Sequence, residues 1–168
     1  MPDKGTRDAR RGGRGAPPYS VADLEGMAAA IEEARLAAAA DEVPVGAVVV
    51  RDASVVARAH NEMVARRDPT AHAELLAIQQ ALRTVESDRL TDCTLYVTLE
   101  PCAQCAGAIV LAKVGRLVFG APDPKAGMCG SLGDLVRHAR LNHRVEVIGG
   151  IDDGTCSQLL QQFFASRR

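Results

Sequence analysis

Leu24, Met27, Ala28 and Ile31 recur at the i, i+3, i+4, i+7 spacing of one helical face, which predicts a first helix. Ser20 stands ahead of them as an N-cap with Asp23 three residues on, and the Ala-rich continuation should stop before Pro44. The apolar runs "VGAVVV" (45–50) and "SVVARAH" (54–60) flank "RDA", the pattern of a β-hairpin with a short connection. "DPTAHAE" opens a second amphipathic helix, with Asp68 as its predicted N-cap and Pro69 at the first helical position. "TLYVTL" (94–99) reads as a buried strand leading into "EPCAQCAGAIVLAK", a helix with Pro101 at its start. "RLVFGA" predicts a fourth strand, "SLGDLVRHA" (131–139) a short helix, "RVEVIGG" a fifth strand and "TCSQLLQQFFASRR" a closing helix. Helix, hairpin, then strands alternating with helices predict an α/β class: a three-layer α/β/α sandwich with a five-stranded mixed sheet. Ligands in such sheets gather near strand C-terminal ends and helix N-termini.

Composition narrows the class. A chain of 168 residues, 47 % hydrophobic and 24 % charged, is long enough for one domain with a sizeable core and no disulfide staples. The Gly-, Pro- and Arg-rich residues 1–19 are expected to be a disordered basic tail, so the domain is assigned to 20–168. Five basic residues against Asp3 and Asp8 give the first 20 residues a charge of +3 within a chain of net −1, leaving the remainder near −4. No run reaches the roughly 18 apolar residues of a membrane span, and the N-terminus lacks a signal-peptide core. The expectation is a cytoplasmic protein with no membrane partner. Five cysteines, an odd number, point to metal or thiol chemistry rather than a disulfide framework.

"HAE" and "PCAQC" supply that chemistry. Cys102 and Cys105 are i, i+3 at a helix start, where the helix dipole favours thiolates. A CxxC alone fits either a redox pair or half a zinc site, but a redox pair gives "HAE" no work. His72 added to the two sulfurs makes three ligands, which for tetrahedral Zn2+ leaves one position for water. A zinc-bound water ionises near neutral pH and needs a proton carrier, and Glu74 stands two residues beyond His72. The predicted roles are His72, Cys102 and Cys105 for the metal and Glu74 for catalysis. Cys93, Cys129 and Cys156 read as small apolar residues, Cys129 being worth checking against the metal.

The pairing of H-x-E with P-C-x-x-C resembles the zinc-dependent nucleoside and nucleobase deaminases, whose fold is cytidine-deaminase-like. "EVPVGAV", "DPTAHAE", "TLYVTLEPC", "FGAPDPKAGMCGSLGD" and "NHRVEV" narrow the resemblance, over about residues 20–168, to the bacterial tRNA-specific adenosine deaminases. That resemblance implies hydrolysis of adenosine to inosine at the wobble position of a tRNA anticodon stem-loop, in an arginine tRNA, by a homodimer. It also implies substrate contacts at Asn61, Ala73, Asp123, Lys125 and Asn142, with backbone N–H groups near Ala73 and Cys102 facing developing charge. Arg167 and Arg168, beside Phe163 and Phe164, are expected near phosphate. Glu62 and Met63 depart from the basic residue and proline that many relatives carry after the asparagine. Ala38 and Asp41 depart from familiar aromatic and basic positions.

Two other functions share part of this pattern. A metabolic deaminase of free guanine, cytosine or a nucleoside would keep the same four residues and differ in its RNA contacts. A zinc-stabilised RNA-binding module without catalysis would have no use for Glu74.

Overall fold

The computed structural model describes residues 16–168, so most of the expected tail, residues 1–19, lies outside the described residues. One sheet runs in the order β2-β1-β3-β4-β5, built from β1 (Gly46–Arg51), β2 (Ser54–His60), β3 (Cys93–Leu99), β4 (Arg116–Ala121) and β5 (Glu146–Gly149). β1 is antiparallel to β2 and β3, while β3, β4 and β5 run parallel, so the sheet is mixed as the element order predicts. Strand alternation sorts the core into two layers. Ala47, Val49, Leu95, Val97 and Leu117 pack toward α3 (Ala73–Thr84) and α4 (Ala103–Leu111), and Val48, Tyr96 and Val118 toward α1 (Val21–Ala39) and α5 (Asp153–Ala165). Each fully buried Val or Leu among them stabilises the fold by about 1.5–3 kcal/mol.

The expected capping box forms. The Asp23 N–H donates to Ser20 Oγ at 3.2 Å and the Ser20 N–H to Asp23 Oδ2 at 2.9 Å. Asp23 also turns inward beneath α1, where Tyr96 Oη donates to its Oδ1 at 2.9 Å and Arg116 Nη2 to its Oδ2 at 2.9 Å. A second tie between α1 and the sheet is steric. A Cβ at Gly46 would collide with the Ala30 carbonyl and the Ala34 amide, so only glycine lets α1 lie this close to β1.

Three local predictions give way. Asp68 does not cap α3; its Oδ1 accepts from the Thr70 N–H at 2.8 Å and the Thr70 hydroxyl at 2.6 Å, closing a turn. α3 begins only at Ala73, with His72 as N-cap, and a short helix α2 (Met63–Arg66) that the pattern did not predict precedes that turn. Likewise Pro101 precedes the N-cap of α4, which is Cys102. Residues 131–139 form no helix. Their backbone groups go elsewhere: the Ser131 N–H to Glu100 Oε1 at 2.9 Å, the Leu135 N–H to Met128 O at 2.8 Å, and Val136 O to the Val145 N–H at 3.0 Å. Those bonds leave too few partners for an i to i−4 ladder.

Candidate active site

His72 and Cys102 both occupy N-cap positions with extended backbones (φ −80°, ψ 148° and φ −74°, ψ 179°), and neither side chain makes a capping hydrogen bond. An unused N-cap side chain is free to turn toward a neighbour, and here the two helix starts lie side by side. Gln104 Nε2 fastens them together by donating to Thr70 O at 2.9 Å, across the turn ahead of α3. Cys105, in the first turn of α4, completes the group. His72 Nδ1 is 3.6 Å from each of the two Sγ atoms, and all three donor atoms lie within 4.8 Å of one another.

This spacing can be tested against zinc. Bonds of about 2.3 Å to sulfur and about 2.0–2.1 Å to nitrogen at a tetrahedral angle require N···S separations of about 3.5–3.6 Å. The two observed N···S distances match that value. The electrostatics of the group agree with them. Hydrogen bonding with Cys105 and then with His72 holds the Cys102 thiol down at about 3, while the bond to Cys102 and burial push Cys105 up. His72 is raised chiefly by its bond to Cys102. One thiolate discourages the second unless positive charge sits between them, which is what a divalent cation provides. These three residues form the candidate metal group, and the group as a whole can hold one ion.

Glu74 is in the first turn of α3 and buried, at 4 % exposure. Burial pushes its carboxyl up to about 7. It shares a cleft of about 190 Å³ with His72, Cys102, Asn61, Met63 and Asp123. Asn61 is also buried, and its Oδ1 accepts the Ala73 N–H at 2.9 Å. With its acceptor committed, the amide NH2 is what Asn61 can offer a ligand. The same bond uses the Ala73 N–H that the family resemblance sets against developing charge.

Of the other expected contacts, Asp123 lines the cleft, and its Oδ1 accepts from the Lys125 and Ala126 N–H groups at 3.0 and 3.2 Å. Lys125 borders an adjoining groove of about 600 Å³, lined also by Pro122, Pro124, Leu160 and Phe164 and continuous with the cleft through Val43, Leu99 and Asp123. Asn142 is not brought to the cleft. Lys113 Nζ donates to it at 2.6 Å beyond the C-terminal end of α4, roughly 13 Å of helix rise from the ligand end. Arg167 packs its guanidinium 3.5 Å above the Phe163 ring and pairs with Asp41 at 2.7 Å, so the acidic departure at 41 anchors the end of α5. Cys129 Sγ lies 3.9 Å from Pro101 O and is not part of the ligand group. Burial pushes Cys93 up to about 11 and Cys129 and Cys156 up to about 12, as expected of apolar packing.

Two buried acids next to the cleft, Glu42 and Glu100, escaped the sequence reading. Glu42 Oε1 and Oε2 accept the Ala65 and Val64 N–H groups at 2.8 and 3.1 Å, holding α2 beside the cleft. Glu100 binds the loop that carries Asp123. An acid set in an otherwise apolar stretch, as in "TLYVTLEPC", is a usable signal, because a buried carboxylate must find donors.

The family model of the MafB19-like deaminases matches residues 21–168. A tRNA-specific adenosine deaminase of Bacillus subtilis is 46 % identical over 142 residues, 84 % of this chain and 88 % of that one. Another, from Haemophilus influenzae, is 44 % identical over 147 residues, 87 % of this chain and 85 % of that one. A solved structure from work on A-to-I editing by tRNA:A34 deaminases at the wobble position of transfer RNA aligns at a TM-score of 0.78. It is 40 % identical and covers 81 % of this chain and 99 % of its own. By sequence and by fold, the chain belongs to the MafB19-like deaminases, in the branch of the tRNA-specific adenosine deaminases.

Proposed function

We propose that this protein hydrolyses adenosine to inosine at the wobble position of a tRNA anticodon, with an arginine tRNA as substrate and Zn2+ as cofactor. The observation that carries this reading is the placement of buried Glu74 two residues past His72, whose Nδ1 is 3.6 Å from both sulfurs. His72, Cys102 and Cys105 would hold the zinc, which when bound acidifies water and lowers the cost of making a nucleophile near pH 7. Glu74 accepts one proton from the attacking water and delivers it to N1 of the ring, then takes the remaining proton of the hydroxyl added at C6 and passes it to the amine, which leaves as ammonia. One C–O bond forms at C6 and one C–N bond breaks there. Asn61 offers its NH2 to a ring-nitrogen acceptor of the base. The narrow cleft suits one unstacked base, and the groove bordered by Lys125 and Phe164 continues from it, as a chain substrate requires and a free base does not. Asn142, on the outer surface, would meet RNA only beyond the cleft.

No helix among the described residues is long and apolar enough to cross a membrane. A tRNA substrate favours work in the cytoplasm. We assign a homodimer on the outward face of α4. There Ala103 and Leu111 are exposed, and a Cβ at Gly107 would meet nothing within 4 Å. Leu111→Glu should raise the dimer Kd at least about 10-fold, about 1.4 kcal/mol, by light scattering across a dilution series. A wild-type chain that is monomeric at micromolar concentration defeats this assignment.

The function itself is tested by incubating the protein with an arginine-tRNA anticodon stem-loop and sequencing for A-to-I conversion. Conversion should stop on chelation and return with zinc. Ammonia released from free guanine or cytosine, with the RNA untouched, would instead identify a metabolic deaminase. Stem-loop binding without turnover would identify a non-catalytic module.

A further inference from the structure

Glu100 follows the last residue of β3 and precedes Pro101 and Cys102, and its side chain is 2 % exposed. Both of its oxygens are spent on a single loop. Oε1 accepts the N–H groups of Cys129 and Ser131 at 3.0 and 2.9 Å, and Oε2 accepts the Asp123 N–H at 2.9 Å and the Ser131 hydroxyl. A second observation shows that the loop is folded around this carboxylate. A Cβ at Gly127 would strike the Glu100 carboxyl group and come within 2.6 Å of Asp123 O. The loop is also sewn to the metal side of the cleft, because the Met128 N–H donates to Pro101 O at 2.9 Å.

We propose that Glu100 is a positioning residue for RNA: it shapes residues 123–131 into the wall that presents Asp123 and Lys125, and it touches no reacting atom. The assignment rests on the function proposed above. Its physical basis is the accounting of loop donors. Four donors converge on two oxygens, and the bonds of a carboxylate to such donors are about twice as strong as neutral ones. Without them the buried Cys129 amide would be left unpaired, and those of Asp123 and Ser131 would have to turn to water, opening the loop. Either outcome moves the wall of the cleft, while α3, α4 and the ligand atoms keep their own supports.

Glu100→Gln sets an NH2 group against N–H donors whichever way the amide turns. Gly127→Ala disturbs the same packing from the loop side and leaves the acid in place. Both variants should raise KM for the stem-loop about 10-fold, with kcat within about threefold and metal content unchanged. In hydrogen exchange, the amides of Asp123, Cys129 and Ser131 should lose protection at least about 10-fold, and those of α3 should not. Exchange is read without any substrate, so a wild-type chain that makes no inosine would sink the function while the loop assignment is still judged. Unchanged protection at those three amides overturns the proposal. So does a loss confined to kcat and metal content, which would make Glu100 a support for Cys102 alone. If Glu100→Gln fails to fold, Gly127→Ala decides by the same readouts.

Discussion

Glu74→Ala should lose about 10²–10⁴-fold in kcat on the stem-loop while binding the same amount of metal and melting within a few degrees of the wild type. The size of the loss follows from the work assigned to this residue. A carboxyl that both receives and returns protons at one reaction centre has no substitute among the other cleft residues, since Asn61 cannot titrate and Asp123 is occupied with its own loop. Preservation of the fold follows from the cause of its shift. Burial pushes Glu74 up to about 7, which means that the charged form is costly where it stands. Removing a buried acid of that kind relieves a penalty, and Cys105, which loses its hydrogen bond to Glu74, keeps His72 and Cys102 beside it. Steady-state kinetics, elemental analysis and thermal melts on one preparation decide it. Turnover within tenfold of the wild type would end the proton-carrier role.

Asp23→Ala carries the largest expected loss of stability, about 3–5 kcal/mol, because it strips both Nη groups of the half-buried Arg116 guanidinium of their acceptor and leaves only Glu146 on its Nε. It also removes the N3 half of the capping box and the partner of Tyr96. Hydrogen bonding from Arg116 holds the Asp23 carboxyl well below its usual 3.8, against the opposing effect of burial. The sign of the pH dependence follows from that depression. An acid whose folded pKa lies below its unfolded one contributes stability above the unfolded pKa, and the contribution is lost as pH falls through the folded value. Wild-type stability should therefore fall between about pH 5 and pH 2 more steeply than that of Asp23→Asn, which has no proton to take up. Parallel acid limbs in urea titrations of the two proteins would refute the assignment.

The grouping of the candidate site was legible in the sequence to an unusual degree, because its spacing is local. Cys102 and Cys105 share one turn of α4, and His72 and Glu74 share the first turn of α3, so spacing alone indicated which atoms travel together. Residue type then carried the rest: an imidazole and two thiols are scarce donors with few uses in common. Asn61 and Asp123 do enter the same cleft, whereas Asn142 lies beyond the opposite end of α4. Nothing in a local pattern could separate those cases, because Asn142 is held by Lys113, 29 residues away in the chain.

The succession of elements along the chain, the two-faced alternation of the core, the capping box at Ser20 and the residue types of the candidate metal group were determined by the chain itself, since each depends on neighbours within a few residues. Only the tertiary structure decided where the Ala73, Asp123, Cys129 and Ser131 amides find acceptors, because those partners lie 12 to 31 residues away. The same competition removed the helix predicted at 131–139 and moved the start of α3 from Asp68 to His72. A backbone group bonds the best acceptor within reach in space, and in this fold two buried carboxylates and one buried amide outbid the local choice.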